Sequence, residues 1–185
     1  MTGVQTCALP IYPDHDEGVA VIHRALDAGI NFIDTADVYS GGESEEIVGK
    51  ALAGGRRDNV VLATKFHGAM GDDVNRAGNS RRWIFQEVEA SLKRLGTDWI
   101  DLYQVHRWDP WTDHEETLGA LTELVTQGKI RYIGSSTYPA AQIVKAQWRV
   151  SAACSASSAS SRPTRSSRGG SRPTCCRPAS STGSA

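Results

Sequence analysis

Short, continuously apolar runs alternate with longer amphipathic stretches from residue 17 to residue 144, and few architectures accommodate that alternation. Val60-Val61-Leu62-Ala63 is too continuously apolar for a half-exposed hairpin, whose strands switch between water and core at every residue. Runs of about five residues separated by helical stretches of about ten to fifteen indicate a parallel sheet covered by helices.

The spacing predicts a helix over residues 17–28, with Val19, Ile22, Ala25 and Leu26 on one face and Gly29 as its stop. Ile30-Asn31-Phe32-Ile33 reads as a buried strand ending at Asp34, and a Gly-rich loop leads to Ser44, the expected N-cap of a second helix. Its first turn carries Glu45 and Glu46, and Ile47, Val48, Ala51 and Leu52 form its apolar face. Residues 59–64 form the next strand. Ile84, Val88, Leu92 and Leu95 trace a third helix stopped by Gly96, and residues 99–105 form a strand ending at His106. Asp113 and Glu116 have capping-box spacing for a fourth helix, with Leu118, Leu121 and Val125 inward and Gly128 beyond its end. Residues 129–134 give another strand, and Pro139 opens a fifth helix with Ile143 and Val144.

No G-x-G-x-x-G or G-x-x-x-x-G-K-[ST] occurs, which weakens an open dinucleotide-binding or phosphate-loop sheet. Instead, Asp34, Lys65, His106 and Ser136 each fall at the C-terminal end of a different expected strand. In a (β/α)8 barrel those ends converge on one face, the usual place for catalysis. Taken singly each residue has a bland reading: Asp34 as a loop cap, Tyr39 as packing, Lys65 snorkelling, His106 seated under a barrel rim. Together they can carry one chemistry. A phenol is a poor acid–base group at neutral pH, and a neighbouring ammonium favours its phenolate. Asp34 can hold Lys65, Tyr39 can protonate a carbonyl oxygen as hydride reaches the carbon, and His106 can orient that oxygen.

The stretches Gly29-Ile-Asn-Phe-Ile-Asp-Thr-Ala-Asp-Val-Tyr39, Ala63-Thr-Lys65, Leu92-Lys-Arg-Leu-Gly-Thr-Asp98, Ile100-Asp-Leu-Tyr-Gln-Val-His106 and Gly128-Lys-Ile-Arg-Tyr-Ile-Gly134 resemble the aldo-keto reductase family. With Glu116-Thr-Leu-Gly-Ala-Leu, their order covers roughly residues 14–146. The Ser-Glu-Glu run at 44–46 and the His106-Arg107 pair are similar to the branch holding bacterial aldo-keto reductases and potassium-channel β subunits. The resemblance implies a reductase using NADP(H), or NAD(H), on an α/β (β/α)8 TIM barrel, with Asp34, Tyr39, Lys65 and His106 as its catalytic tetrad. Ser136 matches the serine of the family's nicotinamide-holding Ser-Asn pair, while Thr137 stands where asparagine is expected. A hydroxyl supplies one of those hydrogen bonds without the amide's donor–acceptor fork. Trp108, directly after the His-Arg pair, is a candidate substrate-pocket wall or a rim packing residue. Two alternatives stand beside the reductase: a Schiff-base aldolase using Lys65, and a non-enzymatic regulatory module of channel-β type.

Composition adds exclusions. The 185 residues carry 20 basic and 21 acidic side chains, a formal net charge of −1, which gives no support to a nucleic-acid-binding surface. No apolar run reaches the roughly 18 residues of a membrane span, and no secretory leader is recognisable. No metal-ligand motif such as His-x-His or H-E-x-x-H occurs. Residues 11–150 lack cysteine, which fits a reducing compartment and a cytoplasmic protein. The expected partner is a small carbonyl or alcohol substrate, and the pattern leaves oligomerisation open.

The charge average hides a break. Residues 1–150 hold 15 basic and 21 acidic residues, whereas residues 151–185 hold five arginines, no acid, 12 serines and no Ile, Leu, Val, Phe, Trp or Tyr. That tail cannot build an apolar core. Its adjacent Cys175-Cys176 lacks further spaced ligands. The expected organisation is a poorly matching segment 1–10, part of a barrel over 11–150 (roughly the second to fifth strand–helix repeats), and a disordered or non-native tail over 151–185. A family segment such as Val-Ser-Glu-Gln-Pro-Pro-Tyr-Ser, encoded with GC-rich codons and read one base late, gives Ser-Ala-Ser-Ser-Arg-Pro-Thr and the start of an arginine codon. Residues 158–165 read the same way, so a shifted frame beginning between Trp148 and Ser158 is expected. An unclosed barrel leaves strand edges exposed, so this polypeptide is expected to be unstable or aggregation-prone, with little activity.

Overall fold

The computed structural model describes residues 14–147. The described residues fall into two units, divided between Ile143 and Val144. The expectations for residues 1–13 and 148–185, including the tail and the shifted frame, lie outside the described residues. In the second unit, the described residues 144–147 are helical.

The first unit runs α1 (His15–Asp27), β1 (Phe32–Asp34), a 3-10 turn (Tyr39–Gly42), α2 (Glu43–Leu52), β2 (Val61–Phe66), α3 (Arg81–Leu95), β3 (Ile100–Val105), α4 (His114–Thr126) and β4 (Ile130–Ser135). The four strands pair in chain order and all in parallel. This is an α/β arc of a TIM barrel, with helices connecting successive strands.

Alternation along the strands sends neighbouring residues to opposite sides. Leu62, Phe66, Tyr103 and Val105 join Ile47, Val48, Leu52, Ile84, Val88, Leu95, Leu121 and Leu124 of the helices in one apolar core. Each such fully buried aliphatic side chain stabilises the fold by about 1.5–3 kcal/mol. The α3 stripe is buried as its spacing predicts, and Gly96 ends the helix in the left-handed region, at φ 62°. Gly49 is needed for a different reason. A Cβ there would lie 2.6 Å from the Arg94 carbonyl oxygen, so only a bare Cα lets α2 approach the end of α3.

Several local expectations are corrected. Gly42 occupies the N-cap of α2, and the Ser44 hydroxyl lies 2.8 Å from that of Thr35 instead of capping the helix. Asp113 does cap α4, accepting from the Glu115 N–H. The reciprocal half of the capping box is absent: Glu116 accepts from the Arg81 N–H of the neighbouring helix. The buried face of α4 is Thr117, Ala120, Leu121 and Leu124, while Val125 is exposed and Leu118 half-buried. Ala120, Leu124, Leu121, Val125 and Leu118 spread over about half of this helix, so periodicity left the centre of its inward face ambiguous. The first strand is also less buried than expected. Phe32 is 36% exposed, because β1 is an edge of the sheet among the described residues.

Candidate active site

Three strand ends and one turn build the site. Asp34 is the last residue of β1, Lys65 the penultimate residue of β2, and His106 follows β3 directly. Beyond β1 the chain continues its ladder against β2, as the Thr35 N–H donates to the Ala63 carbonyl and the Asp37 N–H to the Lys65 carbonyl. The turn that carries Tyr39 is thereby bolted level with Lys65. Ser40, Gly41 and Gly42, all at positive φ, then reverse the chain into α2.

Lys65 is 3% exposed, and a buried ammonium needs partners. It has two: its Nζ donates to Asp34 Oδ2 at 2.5 Å and to the Thr35 carbonyl at 2.9 Å. Asp34 uses its other oxygen to accept from Gln104 Nε2 at 2.8 Å. Lys65 and Gln104 are register partners on adjacent strands, so these side chains share one side of the sheet. The ammonium also faces the Tyr39 ring, 5.2 Å from its centroid. The Tyr39 and His106 rings meet edge to face at 5.7 Å. Burial, and then the positive charges of Lys65 and Arg107, hold the His106 pKa below its ordinary 6.5. At neutral pH its imidazole is therefore a neutral hydrogen-bonding group.

Asp34, Tyr39, Lys65 and His106 are thus brought together. The Ser136 N–H donates to the Val105 carbonyl, which sets Ser136 beside the His106 strand end. Its hydroxyl lies 3.4 Å from that of Thr137, which sits at φ 51°. Two adjacent hydroxyls can both donate and accept, the chemistry a carboxamide requires. Trp108 is half-buried in the loop after β3 and takes no part in the hydrogen bonds and ring contacts linking the tetrad.

Sequence reasoning missed Gln104. Its signal was a polar residue inside a buried strand, opposite Lys65 in the parallel register. It also missed Asn79, which is 2% exposed and ties the site's loops together. Asn79 Oδ1 lies 3.0 Å from His67 Nδ1, Nδ2 donates to the Arg107 carbonyl, and the backbone N–H donates to Asp109. Among the described residues no group of three or more His, Cys, Asp or Glu side chains could hold a metal ion. No helix among them is long and apolar enough to cross a membrane.

Comparison with known proteins gives this geometry a context. Residues 6–165 match the aldo/keto reductase family. The chain is 49% identical over 132 residues to aldo-keto reductase YhdN of Bacillus subtilis, covering 70% of this chain and 40% of that protein. It is 42% identical over 146 residues to versiconal hemiacetal acetate reductase of Aspergillus parasiticus, covering 69% and 42%. The solved holo form of aldo-keto reductase AKR11C1 from Bacillus halodurans superposes with a TM-score of 0.62 at 39% identity, covering 69% of this chain and 43% of that one. The chain thus spans about two fifths of the length of these relatives. With an α/β arc of parallel strands, a family match across most of its length and close relatives that are reductases, this chain belongs to the aldo/keto reductase family.

Proposed function

We propose that Asp34, Tyr39, Lys65 and His106 are the catalytic residues of an NADP(H)-dependent reductase that converts an aldehyde or ketone to an alcohol when the barrel is complete. NAD(H) is the other cofactor compatible with this chemistry. The observation that carries the reading is the cluster in which the Lys65 ammonium bonds to Asp34 and faces the Tyr39 ring, with His106 against that ring's edge. The relatives' names support it, versiconal hemiacetal acetate reductase among them.

The division of labour follows from charge. Tyr39 donates its proton to the carbonyl oxygen, and the Lys65 ammonium stabilises the phenolate left behind. Asp34 neutralises and aims that ammonium, and Gln104 fixes Asp34. Neutral His106 donates one hydrogen bond to the carbonyl oxygen and turns the carbon toward the hydride donor. A reduced nicotinamide bound at this face supplies the hydride. The Ser136 hydroxyl, with Thr137 beside it, would hold the carboxamide, and Trp108 would border the substrate. The working location is the cytoplasm. Residues 11–150 supply the barrel portion, and residues 151–185 are the product of a shifted frame.

The test is to express the coding locus with the frame that continues the barrel after Trp148 and to assay NADPH oxidation with aldehydes. Aldehyde-dependent turnover is expected from that product and little from the 185-residue chain. A soluble, folded product that binds the nucleotide yet reduces no carbonyl contradicts the reading.

A further inference from the structure

On the side of the sheet opposite Lys65 lies a second set of charges that carbonyl chemistry does not use. Thr64 and Tyr103, register partners on β2 and β3, sit beneath α2 and α3 and are fully buried. Above them are Glu45 of α2 and Glu87, Ser91 and Arg94 of α3, and Asp37 enters from the turn after β1. Glu45, Glu87 and Asp37 are each 0% exposed.

The partners in this layer are unevenly shared. Arg94 Nε donates to Glu45 Oε2 at 2.7 Å, and its Nη2 donates to Glu87 Oε1 and to Ser91. The Thr64 hydroxyl donates to the other Glu45 oxygen at 2.6 Å. Asp37 receives only the Val38 N–H on Oδ1, at 2.6 Å, and its Oδ2 is buried with no hydrogen-bond partner. Glu87 Oε2 and the Tyr103 hydroxyl are likewise buried and unpartnered. Three carboxyl groups thus face one guanidinium, which is already committed to two of them.

Asp37 also connects the two halves of the reductive site, through a hydrogen bond to one and through the chain to the other. Its N–H is bonded to the Lys65 carbonyl, and Tyr39 lies two residues on, its own N–H donating to Ala36. We propose that Asp37 is a positioning residue for Tyr39: its carboxyl, buried behind the sheet, holds the Val38 N–H that leads into Tyr39, and gain or loss of a proton there shifts the phenol relative to Lys65. The inference rests on the reading of Tyr39 as proton donor, but it concerns where the phenol sits and not whether it turns over substrate.

The surroundings of Asp37 favour its protonated form. Burial, then repulsion by Glu87 and Glu45, outweigh the Val38 hydrogen bond and the attraction of Arg94, and raise the Asp37 pKa to about 7. Tyr103 faces the group from β3, and Lys65 reaches it only through its backbone carbonyl. The carboxyl therefore changes charge near neutrality, whereas His106, on the other side of the sheet, titrates below 6.5.

The experiment is a pH titration of the full 185-residue chain with 13C at tyrosine Cζ and aspartate Cγ, the Tyr39 signal being assigned by its loss in Tyr39→Phe. The expected result is one aspartate carboxyl that titrates near pH 7, a Tyr39 shift that moves in step with it, and loss of that step in Asp37→Asn. Asparagine keeps the acceptor for Val38 and removes the titration, so a purely structural role would leave the Tyr39 profile unchanged. No aspartate titrating near neutrality, or a Tyr39 step that persists in Asp37→Asn, overturns the proposal. The wild-type spectra decide the first point even where the variant does not fold. Loss of the reductase reading, by contrast, would show in turnover and leave these spectra unchanged.

Discussion

The two sides of the β2–β3 pair carry charge in opposite ways. On one, Lys65 meets Asp34, one cation against one anion, with the remaining carboxylate oxygen taken by Gln104. On the other, one residue earlier along each strand, Thr64 and Tyr103 lie under Asp37, Glu45 and Glu87, three acids of which two bond to the guanidinium of Arg94. The first side is balanced, with Asp34, Tyr39 and His106 partly exposed at the strand ends. The second is lopsided and sealed by helices. A sealed excess of carboxyl groups is resolved by protonation, because desolvation leaves the charged form no other relief. Strand alternation is what lets two such different environments stand one residue apart.

The largest break in this contrast should come from Arg94→Met. It strands Glu45 and Glu87 in the sealed layer without their cation, and breaking a buried pair this way costs about 3–5 kcal/mol. Urea denaturation should show the loss to be larger at pH 8 than at pH 5, where protonation of the carboxyls relieves it. A variant as stable as the parent at both pH values would mean that the layer is not the closed network described.

Asp37→Asn should sharpen the contrast. A carboxyl at about 7 when folded and near 3.8 when unfolded holds more protons in the folded state between those values. Parent stability therefore falls as pH rises from about 4 to 7, by up to about 4 kcal/mol in the limit of complete coupling. The amide carries no such penalty. Asp37→Asn should match the parent near pH 4, exceed it at pH 8, and show a flatter stability profile between.

A smaller effect is expected at Tyr103. Its hydroxyl is buried and unpartnered, so Tyr103→Phe removes an unmet polar group and keeps the ring stacked 4.9 Å from Phe66. A gain of about 1 kcal/mol in thermal or urea unfolding is expected, and a loss of similar size would reveal a partner for that hydroxyl.

The open side of the sheet was readable in sequence and the sealed side was not, and the reason is physical. Asp34, Lys65 and His106 end apolar runs, where a polar residue breaks the hydrophobic pattern and stands out. Glu45, Glu87 and Arg94 lie on amphipathic helices, where charge is ordinarily solvated. Their signal was register: Glu45 falls in the same stripe as Val48 and Leu52, and Glu87 lies between Ile84 and Ser91 on a buried face. Asp37 gave no such hint, because its burial depends on how a loop folds over β2. The α4 face was missed because Leu118, Leu121, Leu124 and Val125 support more than one inward direction. The Ser44 cap failed because the preceding glycines reach the left-handed region and start the helix two residues early.

The claim that Tyr39 and Lys65 serve one carbonyl is tested most directly by comparing kcat and KM of Tyr39→Phe with those of the parent, in the product whose barrel is completed. Phenylalanine keeps the ring against His106 and in front of the Lys65 ammonium and removes only the hydroxyl that carries the acidic proton. The account predicts a fall in kcat of about 10²–10⁴-fold with KM little changed. A kcat within a few-fold of the parent would show that another group protonates the substrate.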